Sequence, residues 1–176
     1  FALPVRNPLR GDTAGIFNSF NPSAGPQPVW NWLSVLNPGT TAFSATIVRY
    51  ALDGTALPSL RISELAPGRR IDVALGHDAG QIIGLYRIRP DNSVLPYEAL
   101  ITRYSSLDTR FNFAFPLRAM SPTCDSGALP ASTMDPATNW GELANVSGNA
   151  VRTIVEIRDR QGTLLNSGQT EIEIGP

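Results

Sequence analysis

Apolar side chains recur at every second position in short runs along this chain. Arg70-Ile71-Asp72-Val73-Ala74-Leu75 places Ile71, Val73 and Leu75 on one side, and Phe111, Phe113 and Phe115 alternate in the same way. A period of two marks strands with one face buried and one solvated. Further strand-like runs are Trp30 to Leu36, Leu60 to Leu65, Gln81 to Ile88 and Tyr97 to Tyr104. The run Ser44 to Tyr50 puts Ser44, Thr46, Val48 and Tyr50 on one face. That face grows more apolar towards its end and is assigned to the core. Asp53-Gly54 and Gln161-Gly162 lie between apolar runs and predict hairpins, because glycine tolerates the positive φ of a tight turn. Ala66-Pro67-Gly68 and Pro90-Asp91-Asn92 are turn chemistry as well. No stretch carries a sustained apolar period of 3.6 with caps, so helix content should be low.

Comparison of the chain with itself adds a second level of order. Phe1-Ala2-Leu3-Pro4-Val5-Arg6 recurs as Phe113-Ala114-Phe115-Pro116-Leu117-Arg118. Asn31-Trp32 with Val35 and Asn37 recurs as Asn139-Trp140 with Leu143 and Asn145. Thr46-Ile47-Val48 returns as Thr153-Ile154-Val155, and Gly54-Thr55 followed by Leu57 returns as Gly162-Thr163 followed by Leu165. Order is kept across the blocks, and the period is about 108 residues. The partner of the Ser44–Tyr50 run carries Val151, Thr153, Val155 and Ile157 on its core face. The expected organisation is a β-sandwich repeat unit over 1–110 and a second, truncated unit over 111–176, with 68–110 lacking a counterpart. About seven strands in some hundred residues predict an all-β, immunoglobulin-like β-sandwich, internally repeated. The truncated unit would expose an apolar face and an unpaired edge. It is expected to be completed by strands of a neighbouring chain, the alternative being the 68–110 segment.

Composition narrows the function. Only 16% of residues are charged, the net charge is −1, and Gly and Pro number 15 each. Fourteen basic residues are scattered along the chain and all are Arg, so neither nucleic acid nor an anionic membrane surface is an expected partner. The absence of Lys removes Schiff-base chemistry and a phosphate-loop lysine. No apolar run approaches the roughly 18 to 20 residues needed to span a bilayer as a helix. Phe1 begins the chain, as in a processed mature protein or an excised fragment. Cys124 is the single cysteine, so no intrachain disulfide forms, and its thiol is read as inert.

The order Trp32-Leu33-x-Val35-x-Asn37, then a strand-rich run ending in Asp53-Gly54, then Leu65-Ala66-Pro67-Gly68 before Arg70-Ile71-Asp72-Val73, resembles the immunoglobulin-like repeats of secreted bacterial cell-surface proteins. The resemblance covers the first unit and half of the second. It implies an extracellular or cell-surface location and a structural role in scaffolding, adhesion or filament building, with copies of the chain or adjacent repeats as partners through their sheet edges.

Candidate chemistry is sparse. His77 lies in the glycine-flanked loop Gly76-His77-Asp78-Ala79-Gly80, where it could present a ligand or act as a base. As the only histidine it supports neither a His-rich metal site nor a choice of triads. Asp72, Asp78 and Glu98 are the acids that a glycosidase pair would draw on. Asp53, Asp78, Asp91, Asn92 and Asp159 offer oxygen ligands in turns without the spacing of a calcium loop, and turn formation explains them. Arg10-Gly11-Asp12 is a three-residue match to an integrin-binding tripeptide and carries little information. Trp30, Trp32 and Trp140 could stack on sugar rings. Trp32 and Trp140 occupy matching positions, which suits a structural role. Trp30 has no such partner and is the better surface candidate. Trp30, Asp78 and His77 are thus the binding candidates, with no catalytic residue, metal ligand or cofactor expected. The leading function is a self-assembling structural module. The alternative is a carbohydrate- or protein-binding adhesive module, with surface polysaccharide as a ligand.

Overall fold

The computed structural model of the chain describes residues 7–18, 29–76, 83–107, 110–121 and 143–175. These hold ten β-strands and, among the described residues, no helix. The chain divides into two compact units, 1–129 and 130–176.

In the first unit two four-stranded antiparallel sheets form a β-sandwich. One sheet has the order β1 (Thr13–Asn18), β6 (Ile83–Pro90), β3 (Phe43–Ala51), β4 (Ala56–Leu65). The other has the order β5 (Arg70–Gly76), β2 (Val29–Leu36), β7 (Glu98–Leu107), β8 (Arg110–Arg118). The division therefore falls later than residue 110. β8 is hydrogen-bonded to β7 from Leu107↔Arg110 to Leu100↔Arg118, so it closes the first sandwich and does not open the second unit. The 68–110 segment is likewise used up within the first unit, because it supplies β5, β6 and β7.

Alternation builds the core. β2 buries Val29, Asn31, Leu33 and Val35 and leaves the residues between them half-buried. Phe17, Phe43, Ala45, Ile47, Ile62, Tyr86 and Ile88 from one sheet meet Leu33, Val35, Leu75, Ala99 and Ile101 from the other in one buried cluster. Phe43 stacks on Tyr97 across the sandwich, with ring centroids 5.0 Å apart. The Tyr97 hydroxyl donates to the Gly11 carbonyl at 2.8 Å and shares a 2.7 Å hydrogen bond with Thr13 Oγ1. The glycine in β1 has a steric cause. Gly15 pairs directly with Tyr86, and a Cβ there would stand 2.4 Å from the tyrosine oxygen.

The buried face of β3 is the opposite of the one expected from sequence. Phe43, Ala45 and Ile47 point inward at 0% exposure, while Ser44, Thr46, Val48 and Tyr50 are only half-buried. Both parities of this strand carry apolar side chains, and Val48 and Tyr50 weighted the choice wrongly. The β3–β4 register shifts between Ile47 and Arg49, so parity near the hairpin end is a poor guide to parity at the start.

The second unit presents a single hairpin among the described residues, β9 (Val151–Arg158) with β10 (Leu164–Ile174). Its bonding matches that of β3–β4 at positions 108 residues earlier. In the first turn Ala51 N donates to Thr55 O at 2.9 Å and Gly54 N to Ala51 O at 3.0 Å. In the second, Asp159 N donates to Thr163 O at 2.9 Å and Gly162 N to Asp159 O at 3.0 Å. Gly54 and Gly162 both take the left-handed conformation, at φ 82° and 87°. At the far end Asn37 Nδ2 donates to Thr41 O and Leu65 O, both at 2.8 Å, while Asn37 Oδ1 accepts from Gly39 N at 2.9 Å. Asn145 repeats the set, donating to Asn149 O at 2.6 Å and Ile174 O at 3.2 Å and accepting from Ser147 N at 2.9 Å. These bonds set Ile47 opposite Val155, one residue away from the Thr46-Ile47-Val48 match read from sequence. In a strand a slip of one residue exchanges the faces.

The two hairpins differ in cover. β3 is paired on both sides, with β4 and β6, whereas β9 among the described residues is paired with β10 alone. Phe43 is 0% exposed and its counterpart Val151 38%; Ile62 is 1% exposed and Ile172, at the matching rung, 37%. Val155 is half-buried and Ile157 is 54% exposed, so neither is a core residue as the sequence pattern predicted.

Two predictions follow from the first sandwich. Ile47→Ala should cost about 2–5 kcal/mol and Val48→Ala about 1 kcal/mol or less, read by urea denaturation; equal losses would contradict the inward assignment of Ile47. The second concerns alkali. Burial pushes the Tyr97 hydroxyl up to about 12, against a smaller opposing pull from the Thr13 hydrogen bond, and burial raises Tyr86 as well. Both tyrosines are neutral in folded and unfolded chains below pH 10, so their contribution is intact there. Above it the unfolded chain ionises first, and each buried tyrosine removes up to about 1.4 kcal/mol of stability per pH unit until its folded value is passed. The melting temperature should hold from pH 8 to 10 and fall between 10 and 12, less steeply in Tyr97→Phe. An unchanged melting temperature at pH 11.5 would refute this.

Candidate binding site

The solvated face of the second sheet carries the most developed constellation of side chains. Since Val29, Asn31, Leu33 and Val35 of β2 face the core, Trp30, Trp32, Ser34 and Leu36 share the outer face, and both tryptophans are half-buried there. Pairing of β2 with β5 sets Ala74 beside Trp32, Asp72 beside Ser34 and Arg70 beside Leu36. Pairing with β7 sets Thr102 on the other side of Trp32 and Glu98 beside Leu36. Trp32, Ser34, Arg70, Asp72 and Thr102 line an open depression of about 360 Å³.

Polar groups on this face are held in place by one another. Ser34 Oγ donates to Asp72 Oδ1 at 2.5 Å, and Arg70 Nη2 donates to Asp72 Oδ2 at 2.9 Å. Further along, Arg118 grips Glu98, with Nη2 3.0 Å from Oε1 and Nε 3.2 Å from Oε2. Each of these acids is matched by an arginine, so the face carries paired charge of both signs.

The residues singled out from sequence are distributed as follows. Trp30 is on this face; His77 and Asp78 lie outside the described residues, as do Cys124 and Trp140. Asp72 and Glu98 share the sheet face but sit on β5 and β7 with β2 between them, each bound to its own arginine. Trp32, read from the repeat as structural, faces outward beside Asp72. The turn acids hold their own backbones. Asp53 Oδ1 accepts from Thr55 N at 2.9 Å, and this bond, with one from the Thr55 side chain, holds the pKa of the carboxyl below its ordinary value. Asp159 Oδ1 accepts from Gln161 N and Thr163 N, and Asn92 Oδ1 from Val94 N at 3.1 Å. Asp91 is gripped by Arg61 through two bonds that likewise lower its value. Among the described residues no three His, Cys, Asp or Glu side chains converge as a metal site requires. In Arg10-Gly11-Asp12, Arg10 bonds the Val94 carbonyl and Asp12 lies 3.5 Å from Arg87 and 3.8 Å from Arg89, so both charged ends of the tripeptide are engaged by the protein itself.

Sequence reasoning set Trp32 aside as structural and missed Ser34, Arg70 and Thr102. A signal existed for Trp32. Reading Leu33 and Val35 as the buried parity of β2 places Trp30 and Trp32 together on the other side.

No family model and no curated protein sequence matches the chain. Among solved structures it is similar to the crystal structure of Thermotoga maritima 1070, with 12% sequence identity and a TM-score of 0.48 over 66% of this chain and 97% of that one.

Proposed function

We propose that the protein is an extracellular structural module, built from immunoglobulin-like β-sandwich repeats some 108 residues apart, that assembles by completing its second unit with strands from outside that unit. One observation carries the reading: the same hairpin that is paired on both sides and covered in the first unit is, among the described residues, paired on one side and uncovered in the second. The clamp at Asn37 and Asn145 and the turns at Gly54 and Gly162 hold both hairpins in one geometry. Phe43 and Ile62 of the first are buried, while their counterparts Val151 and Ile172 are 38% and 37% exposed. Apolar area of this kind beside a strand edge that is open among the described residues favours strand addition by another chain or another repeat. The low charge content and the absence of a basic patch agree with a partner that is protein. A carbohydrate- or protein-binding adhesive module is the second reading, and the tryptophan face of the first sandwich favours it.

Light scattering on the chain across a concentration series tests assembly. Association should grow with concentration, and the double variant Val155→Asp/Ile172→Asp should abolish it while leaving the melting of the first unit within about 1 kcal/mol of the parent, because these side chains are not buried there. A monodisperse monomer at the highest concentrations, or association indifferent to the double variant, would overturn the proposal.

A further inference from the structure

We propose that the outer face of the β5–β2–β7 sheet is a binding platform for a neutral polysaccharide, with Trp32 as the stacking surface and the Ser34–Asp72–Arg70 chain as the hydroxyl-recognising group. This rests on the adhesive reading and is independent of assembly through the second unit. Two indoles stand two residues apart on β2, about 7 Å along the strand, on a face where no second sheet packs among the described residues. An indole presents a broad apolar surface to which the C–H face of a pyranose ring adheres. Beside Trp32 the polar groups are pre-oriented. Ser34 fixes one oxygen of Asp72 and Arg70 the other, so the carboxylate cannot rotate away and each oxygen keeps a lone pair for a sugar hydroxyl. The Arg70 side chain is 64% exposed and has further N–H donors, so carboxylate and guanidinium together offer acceptor and donor to a pair of adjacent hydroxyls. Thr102 adds a hydroxyl on the far side of the indole.

Charge selects the ligand class. The acids of this face are each paired with an arginine, Asp72 with Arg70 and Glu98 with Arg118, so among the described residues the face offers no surplus of positive charge to a polyanion. A peptide adding as a strand would use an edge of the sheet rather than its face. A shallow, open depression lined by one aromatic and four polar residues suits a chain of sugars lying along the surface.

The test is calorimetric titration of the full chain with neutral hexasaccharides of glucose, xylose, mannose and N-acetylglucosamine, with alginate and hyaluronan hexasaccharides as anionic arms and a proline-rich decapeptide as the peptide arm. Tryptophan fluorescence is read in parallel. At least one neutral hexasaccharide should bind and shift the tryptophan emission. Trp32→Ala should weaken it tenfold or more and Asp72→Ala about threefold to tenfold, both with unchanged circular dichroism. The Asp72 variant keeps the test decisive if Trp32→Ala unfolds the sheet. Binding of none of the neutral sugars, tighter binding of an anionic sugar or the peptide, or neutral binding that neither variant weakens would each overturn the proposal. Loss of sugar binding with assembly intact removes this inference alone, and loss of assembly with sugar binding intact removes only the assembly proposal.

Discussion

A two-stranded hairpin cannot bury its own apolar face, and the architecture of this chain follows from how that constraint is met in the first unit and, among the described residues, left open in the second. Two strands alone are marginal in water, because one face of the ribbon has nothing to pack on. In the first unit β3 gains β6 on its free edge and the β5–β2–β7–β8 sheet over its face, and Phe43, Ala45 and Ile47 lose all exposure. The cover is non-local. β6 follows β3 by more than thirty residues, and the opposing sheet draws on strands from both ends of the unit. Local chemistry makes the hairpin, through Asp53 or Asp159 in the turn and Asn37 or Asn145 at its base, while distant strands make it stable.

The same register that fills the core aims the outer face. With Leu33 and Val35 committed to the interior, Trp30 and Trp32 have no choice of side, and antiparallel pairing then delivers Asp72 to Ser34 across 38 residues of sequence. Core packing and the make-up of the outer face of β2 are thus one decision. A shift of one residue would bury the tryptophans and expose Leu33.

Much of this was legible in the sequence. The runs at Trp30–Leu36, Arg70–Leu75 and Tyr97–Tyr104 are strands to within three residues at each end, and the Asp53-Gly54 and Gln161-Gly162 hairpins stand where turn chemistry put them. β1 escaped notice because Gly15 weakens its pattern, and the reason for that glycine is Tyr86, some seventy residues away. β10 was hidden by its polar positions, with Gln169, Thr170, Glu171 and Glu173 leaving too few apolar residues to show a period. The inward face of β3 was misread because Val48 and Tyr50 are as apolar as Phe43 and Ile47, and only burial by the second sheet tells the two parities apart. The extent of the first unit was misjudged for a related reason: the Phe113–Arg118 block looks like a fresh start when read against residues 1–6, whereas its hydrogen bonds go back to β7. Ser34, Asp72 and Arg70 come together through pairing, and no spacing along the chain announces it.

Hydrogen exchange followed by mass spectrometry, with peptides covering 43–65 and 151–174 compared in the same sample, addresses the central claim directly. In dilute solution the first peptide should be protected close to the level of global unfolding and the second should exchange faster by at least a hundredfold. Raising the protein concentration should then slow exchange in 151–174 alone. Equal protection of the two hairpins in a dilute monomer would contradict the account, since it would mean that the second hairpin needs no cover beyond its own unit.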